Sequence, residues 1–129
     1  MDTMPEGNSL LYCIKSRRSI RKFDNKDVSL QDIFTILEAA TWAPSGGNKQ
    51  PWVFVIVREK SNIQKIKLFS PGLKGSPAVL LIICNRAPEG TTSIMDISMA
   101  AQNAILEAHS LGLGSCLVRS FEQRAISLL

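Results

Sequence analysis

The chain is poor in the side chains that most often carry chemistry on their own. Its 129 residues include one histidine, one tyrosine and two tryptophans, and aromatics make up only 6%. The lone histidine, His109, reads as a surface or interface residue near a helix end rather than as a catalyst. Three cysteines, Cys13, Cys84 and Cys116, are odd in number, widely spaced and set among apolar neighbours, and no Cys-x-x-Cys occurs. That pattern argues against a zinc or dithiol motif and reads as reduced core residues of a cytoplasmic protein. The most apolar run, residues 77–84, falls far short of the roughly 20 residues a membrane span needs. Residues 1–9 contain Asp2, Pro5, Glu6 and Gly7 and no apolar core, so no signal peptide is expected. Internal repeats and low-complexity stretches are absent as well, so residues 1–129 are expected to form a single domain.

The hydrophobic fraction is 45%, sufficient for a packed core. Fifteen Lys and Arg against eleven Asp and Glu give a net charge of +4. Five of those cations, Lys15, Arg17, Arg18, Arg21 and Lys22, fall within eight residues, so the positive field is local. A local cluster suits a small anion better than a nucleic-acid track, and only Tyr12 and Phe23 lie near it to stack on bases. No nucleic-acid partner is expected.

Along the chain, helical and strand patterns alternate. Ser9–Ser16 predicts a short helix. Ser29–Ala43 predicts a longer one, with Leu30, Ile33, Phe34 and Leu37 on one face and Asp32 three residues after Ser29 as a variant capping box. Pro44 and the glycines after it end that helix. Residues 52–57 and 78–84 read as buried strands, separated by a helix over residues 61–69 and by breakers at Pro71, Gly72 and Gly75. A long helix over residues 93–111 opens with the pair Ser93 and Asp96 and carries Ile97, Ala100, Ala101, Ala104, Ala108 and Leu111 on one face. Met99, Ile105 and Leu106 make its other side apolar too, which points to a second subunit as part of its cover. Residues 116–121 read as a further strand and residues 122–129 as the start of a last helix.

Two segments stand out chemically. In Arg17-Arg18-Ser19-Ile20-Arg21, an extended backbone would turn Arg17, Ser19 and Arg21 to one side, where guanidinium groups can grip phosphate through paired charge-assisted hydrogen bonds. The same residues could equally form a solvated basic turn favoured by a helix C-terminus. In Pro44-Ser45-Gly46-Gly47-Asn48-Lys49-Gln50-Pro51-Trp52, accessible glycine N–H groups and two amides suit a heterocycle edge. The alternative there is a helix stop followed by a strand entry. Gly112-Leu113-Gly114 follows a helix rather than a strand, which removes the context of a dinucleotide fingerprint.

Taken together these segments resemble the nitroreductase family, homodimeric FMN-dependent reductases of nitro, quinone and enone compounds. Arg17 to Arg21 resembles that family's opening flavin motif, Pro44 to Trp52 its second signature, and Asp96 to Ser115 its central helix and following turn, in the family's order and spanning Tyr12 to Phe121. The resemblance implies an α+β fold with a central, mostly antiparallel sheet flanked by helices, and a homodimer whose active sites are shared. It also implies that Arg17 meets the FMN phosphate or ribityl end with Arg18 and Ser19 nearby. Arg21 would approach the pyrimidine edge, where a cation favours the electron-rich reduced ring. Pro44, Ser45, Gly46 and Asn48 would reach the flavin from the partner subunit, with Gln50 as a further cofactor contact.

No catalytic side chain is implied, because the flavin carries the chemistry. NADH or NADPH would donate hydride, and a small-molecule acceptor such as a nitroaromatic or quinone would then take its place, in ping-pong order. A second reading keeps the fold as a flavin-binding or interaction protein without turnover. Relative to the family, the sequence stops before the C-terminal region that usually adds another phosphate-binding cation and an extension embracing the partner.

Overall fold

A computed structural model of the chain describes residues 9–89 and 92–126. The signal-peptide reading of residues 1–8 and the last three residues of the final predicted helix lie outside them. Five helices and one antiparallel strand pair are described: α1 (Leu10–Ser16), α2 (Leu30–Thr41), β1 (Trp52–Val57), α3 (Lys60–Leu68), β2 (Leu80–Asn85), α4 (Ser93–Ser110) and α5 (Gln123–Ile126). A 3-10 turn at Gly46–Asn48 lies between α2 and β1. The architecture is α+β, as expected.

The helix starts follow the capping residues. Ser9 accepts the Tyr12 N–H at 3.1 Å to open α1, and Ser29 accepts the Asp32 N–H at 3.1 Å to open α2. The core forms where α2 crosses α4, with α4 lying over one face of the sheet. Ala40 and Ala100 are fully buried at the crossing, with Ile36, Ala43, Trp52, Ala104 and Ala108 around them. Small side chains on α4 allow this close approach, and Asn103 Nδ2 donates to Ala39 O at 3.0 Å across it.

Strand register explains which side of the sheet is covered. Phe54 pairs with Ile83, and both pack on the core together with Trp52 and Leu81. Val53 pairs with Cys84 and Val55 with Ile82 on the opposite face, where Val53, Val55 and Cys84 are exposed. The expectation of strands buried on both faces is corrected to one covered face, because no second layer lies over the other among the described residues. Cysteine placement changes with it. All three are free thiols, but Cys84 is exposed and Cys13 and Cys116 are only half-buried, so none is a core residue.

Three further expectations are revised. The inward face of α2 is Ile33, Ile36 and Ala40, whereas Leu30 and Phe34 are exposed. The two apolar stripes share Ile33, and the alanine surface of α4 selects the one that lets the backbones approach. The Ser93–Asp96 pair is not a cap. Thr92 holds the N-cap position of α4, Ser93 donates to Ala87 O at 2.7 Å, and Asp96 accepts from Gly46 N. Residues 116–121 form no ladder strand. The stretch is stitched only at intervals, by Ile20 N to Ser115 O at 2.9 Å just before it, Gly72 N to Ser120 O at 3.3 Å, and Glu122 N to Phe69 O at 2.7 Å. Its neighbours there are turns around Pro71 and Gly72, which cannot supply a regular ladder.

Candidate functional site

The cationic segment leaves α1 in an extended conformation, beginning at Arg17 with φ −56 and ψ 138. Ser19 forms an isolated parallel bridge with Ser115, which holds the segment against the turn after α4. Ile20 lies against Gly114 there, while remaining 37% exposed. A Cβ on Gly114 would stand 3.0 to 3.2 Å from three Ile20 carbons, so glycine permits the contact. Alternation along the extended chain then separates Arg17, Ser19 and Arg21 from Ile20.

Arg18 takes a separate course. Its Nη1 donates to Lys15 O and Arg17 O, both at 2.9 Å, satisfying carbonyls at the C-terminal end of α1. For this arginine the helix-end reading holds. The side chains of Arg17, Ser19 and Arg21, by contrast, make no hydrogen bond or ion pair among the described residues. The ion pair found there, Arg58 with Asp27 at 3.4 Å, lies elsewhere. The cluster is therefore not neutralised internally, and its donors remain available to an anion.

The second segment is a tightly wound loop. Asn48 N donates to Ser45 O at 2.9 Å, Lys49 N to Gly46 O at 3.3 Å, and Gln50 N to Ser45 Oγ at 3.0 Å. Gly47, Asn48 and Gln50 all adopt left-handed backbone conformations, with φ of 60, 54 and 50. Glycine accepts that conformation freely and asparagine tolerates it, whereas glutamine is strained by it. The two amides meet, Gln50 Nε2 donating to Asn48 Oδ1 at 3.1 Å, so part of their bonding capacity is used within the loop. Pro51 and Trp52 are buried, and Arg86 N donates to Pro51 O at 2.8 Å, extending the β1–β2 pairing by one step. The loop thus also serves as helix stop and strand entry.

The two segments do not meet within one chain. The loop touches the start of α4 through Gly46 N and Asp96 Oδ1 at 3.3 Å. The end of α1 touches its last turn through Ser16 Oγ and His109 Nε2 at 2.8 Å. Asp96 and His109 are thirteen residues apart on this helix, roughly 20 Å along its axis. His109 is thus half-buried against α1 rather than free on the surface.

Some of these contacts escaped the sequence. The role of Asp96 was hidden by its resemblance to a capping residue, and the contact of Gly75 with the Arg21 backbone was hidden because a breaker glycine signals only a turn. Gly75 has φ +71, and a Cβ there would collide with Arg21 O. Among the described residues, no group of three or more His, Cys, Asp or Glu side chains could hold a metal ion. No described helix is long and apolar enough to cross a membrane.

Comparison with known proteins places this arrangement. The Nitroreductase family matches residues 14–70 and 64–129, and the chain belongs to that family. A Methanothermobacter thermautotrophicus relative, provisionally named NADH dehydrogenase/NAD(P)H nitroreductase, is 38% identical over 111 residues, covering 82% of this chain and 58% of its own length. An Archaeoglobus fulgidus relative with the same provisional name is 36% identical over 112 residues, covering 81% and 64%. The chain thus spans about three-fifths of the length of these curated relatives. The crystal structure of a Bacteroides fragilis nitroreductase with bound FMN superposes with a TM-score of 0.75 at 29% identity, covering 84% of this chain and 68% of that one.

Proposed function

We propose that the chain is an FMN-dependent oxidoreductase of the nitroreductase type, acting as a homodimer with shared sites. The observation that carries this reading is the set of unengaged donors on Arg17, Ser19 and Arg21, presented on an extended backbone held by Ser115. The FMN-bound relative from Bacteroides fragilis supports the choice of anion. Bound FMN would supply the redox chemistry, accepting hydride from NADH or NADPH and passing it to a nitroaromatic, quinone or related small acceptor in ping-pong order.

The side chains position and polarise. Arg17 and Ser19 would hold the phosphate and ribityl end, and Arg21 would maintain positive potential at the pyrimidine edge. Arg18 supports them by fixing the end of α1, from which the segment departs. Pro44, Ser45, Gly46, Asn48 and Gln50 would close the site from the partner, since in one chain they lie at the far end of α4. A second copy would also cover apolar side chains left exposed on α1 (Leu10, Leu11, Ile14) and at the start of α4 (Ile94, Met95). A cytoplasmic setting fits three free thiols and a nicotinamide donor.

The test is an absorbance titration of purified protein with FMN, followed by anaerobic addition of NADH or NADPH and a size measurement. A dimer that turns yellow and bleaches with the donor is expected. A yellow protein that does not bleach would favour a flavin-binding protein without turnover. A colourless monomer that refuses FMN would overturn the proposal.

A further inference from the structure

Asp96 is a buried carboxylate, 5% exposed, in the first turn of α4. Among the described residues no cation forms an ion pair with it. Burying an unpaired carboxylate is costly, and the positive end of its own helix offsets only part of that cost. Its partner is the Gly46 N–H.

That contact has a particular place in the loop. The bonds from Asn48, Lys49 and Gln50 to Ser45 and Gly46, and the bond between the Gln50 and Asn48 amides, are internal, so they stiffen the loop without locating it. Ala43 and Pro51 secure its ends in the core. Among the described residues, the hydrogen bond that ties the middle of the loop to another element is the one from Gly46 to Asp96. A loop with left-handed Gly47, Asn48 and Gln50 needs such an anchor, since it could otherwise relax toward less strained backbone conformations.

We propose that Asp96 is the positioning residue of the flavin-closing loop: through the Gly46 N–H its carboxylate sets where Ser45, Gly46 and Asn48 stand, and so how firmly the partner's FMN is held. This rests on the FMN reading above. Asp96 does not touch the flavin in this account. It acts through the loop, and an acceptor oxygen at the same place should substitute for it.

The experiment compares wild-type protein with Asp96→Asn and Asp96→Ala by amide hydrogen exchange at Gly46 and by FMN titration. In wild type the Gly46 amide should be protected. Asp96→Ala should speed its exchange at least about tenfold and weaken FMN binding by about ten- to a hundredfold, as loss of a hydrogen bond to a charged group predicts. Asp96→Asn, which keeps a carbonyl acceptor, should restore most of both, a rescue that a general packing role would not give. Should Asp96→Ala fail to fold, the wild-type exchange rate decides: an unprotected Gly46 amide overturns the anchor. So does an Asp96→Ala protein that binds FMN as tightly as wild type. A wild type that takes up no FMN yet protects Gly46 removes the flavin reading, and with it the purpose proposed for the anchor.

Discussion

Ser16 Oγ stands 2.8 Å from Nε2 of His109, and the same hydroxyl donates to Tyr12 O at 2.7 Å. A serine has one hydroxyl proton, so with that proton on Tyr12 O the imidazole Nε2–H is the donor, and in the other tautomer the hydroxyl turns to Nε2 instead. The bond fastens the end of α1, and hence the start of the cationic segment, to the last turn of α4. His109→Ala should lower stability by about 1 kcal/mol and loosen α1 without unfolding the core. Denaturation curves, with hydrogen exchange across residues 10–16, check this.

Gly75 governs the other end of that segment. Its φ of +71 and the collision a Cβ would make with Arg21 O act in the same direction. Gly75→Ala should cost about 2 kcal/mol or more and displace Arg21, weakening FMN binding beyond what the stability loss explains. Chemical denaturation and flavin titration of the same preparation separate the two effects.

Gln50 occupies a strained backbone conformation, φ 50, while its side chain bonds to Asn48. Gln50→Gly relieves strain of about 1 kcal/mol and gives up that bond. The expected result is an unchanged or raised denaturation midpoint together with weaker FMN binding. If both properties fall together, Gln50 serves the fold rather than the site.

The proposed sharing of sites gives a prediction about mixed dimers. A chain carrying Arg17→Ala with Arg21→Ala should bind FMN poorly, as should a chain carrying Asn48→Ala. Combining them places every defect in one of the two sites and leaves the other intact. The mixed dimer should bind about one FMN per dimer with wild-type affinity; uniformly weak binding would mean that each chain builds its own site.

Much of this was readable in the sequence, and the limits follow from the interactions concerned. Ser9 and Ser29 mark α1 and α2 because a cap is a contact within four residues. Gly112 ends α4 for the same local reason. The inward face of α2 differs from the expected one because Ile36 and Ala40 are selected by the alanines of α4, some sixty residues away in sequence. The strand expected over residues 116–121 has suitable composition but lacks a regular neighbour, and pairing is never visible in one segment alone. The motifs themselves, Arg17 to Arg21 and Pro44 to Trp52, were legible as a candidate site. Their separation along α4 was not, because it depends on how α1 and the loop dock.

The half-covered sheet also bears on handling and folding. Among the described residues β1 and β2 pair only with each other, so each keeps an outer edge, and both strands are apolar: Trp-Val-Phe-Val-Ile-Val and Leu-Leu-Ile-Ile-Cys-Asn. Uncharged β-branched strands with free edges recruit further strands from other molecules. Until α4, which follows them in the chain, settles onto Trp52 and Phe54, nascent molecules are at their most prone to clump. Slow, dilute refolding should therefore recover more material than rapid concentration.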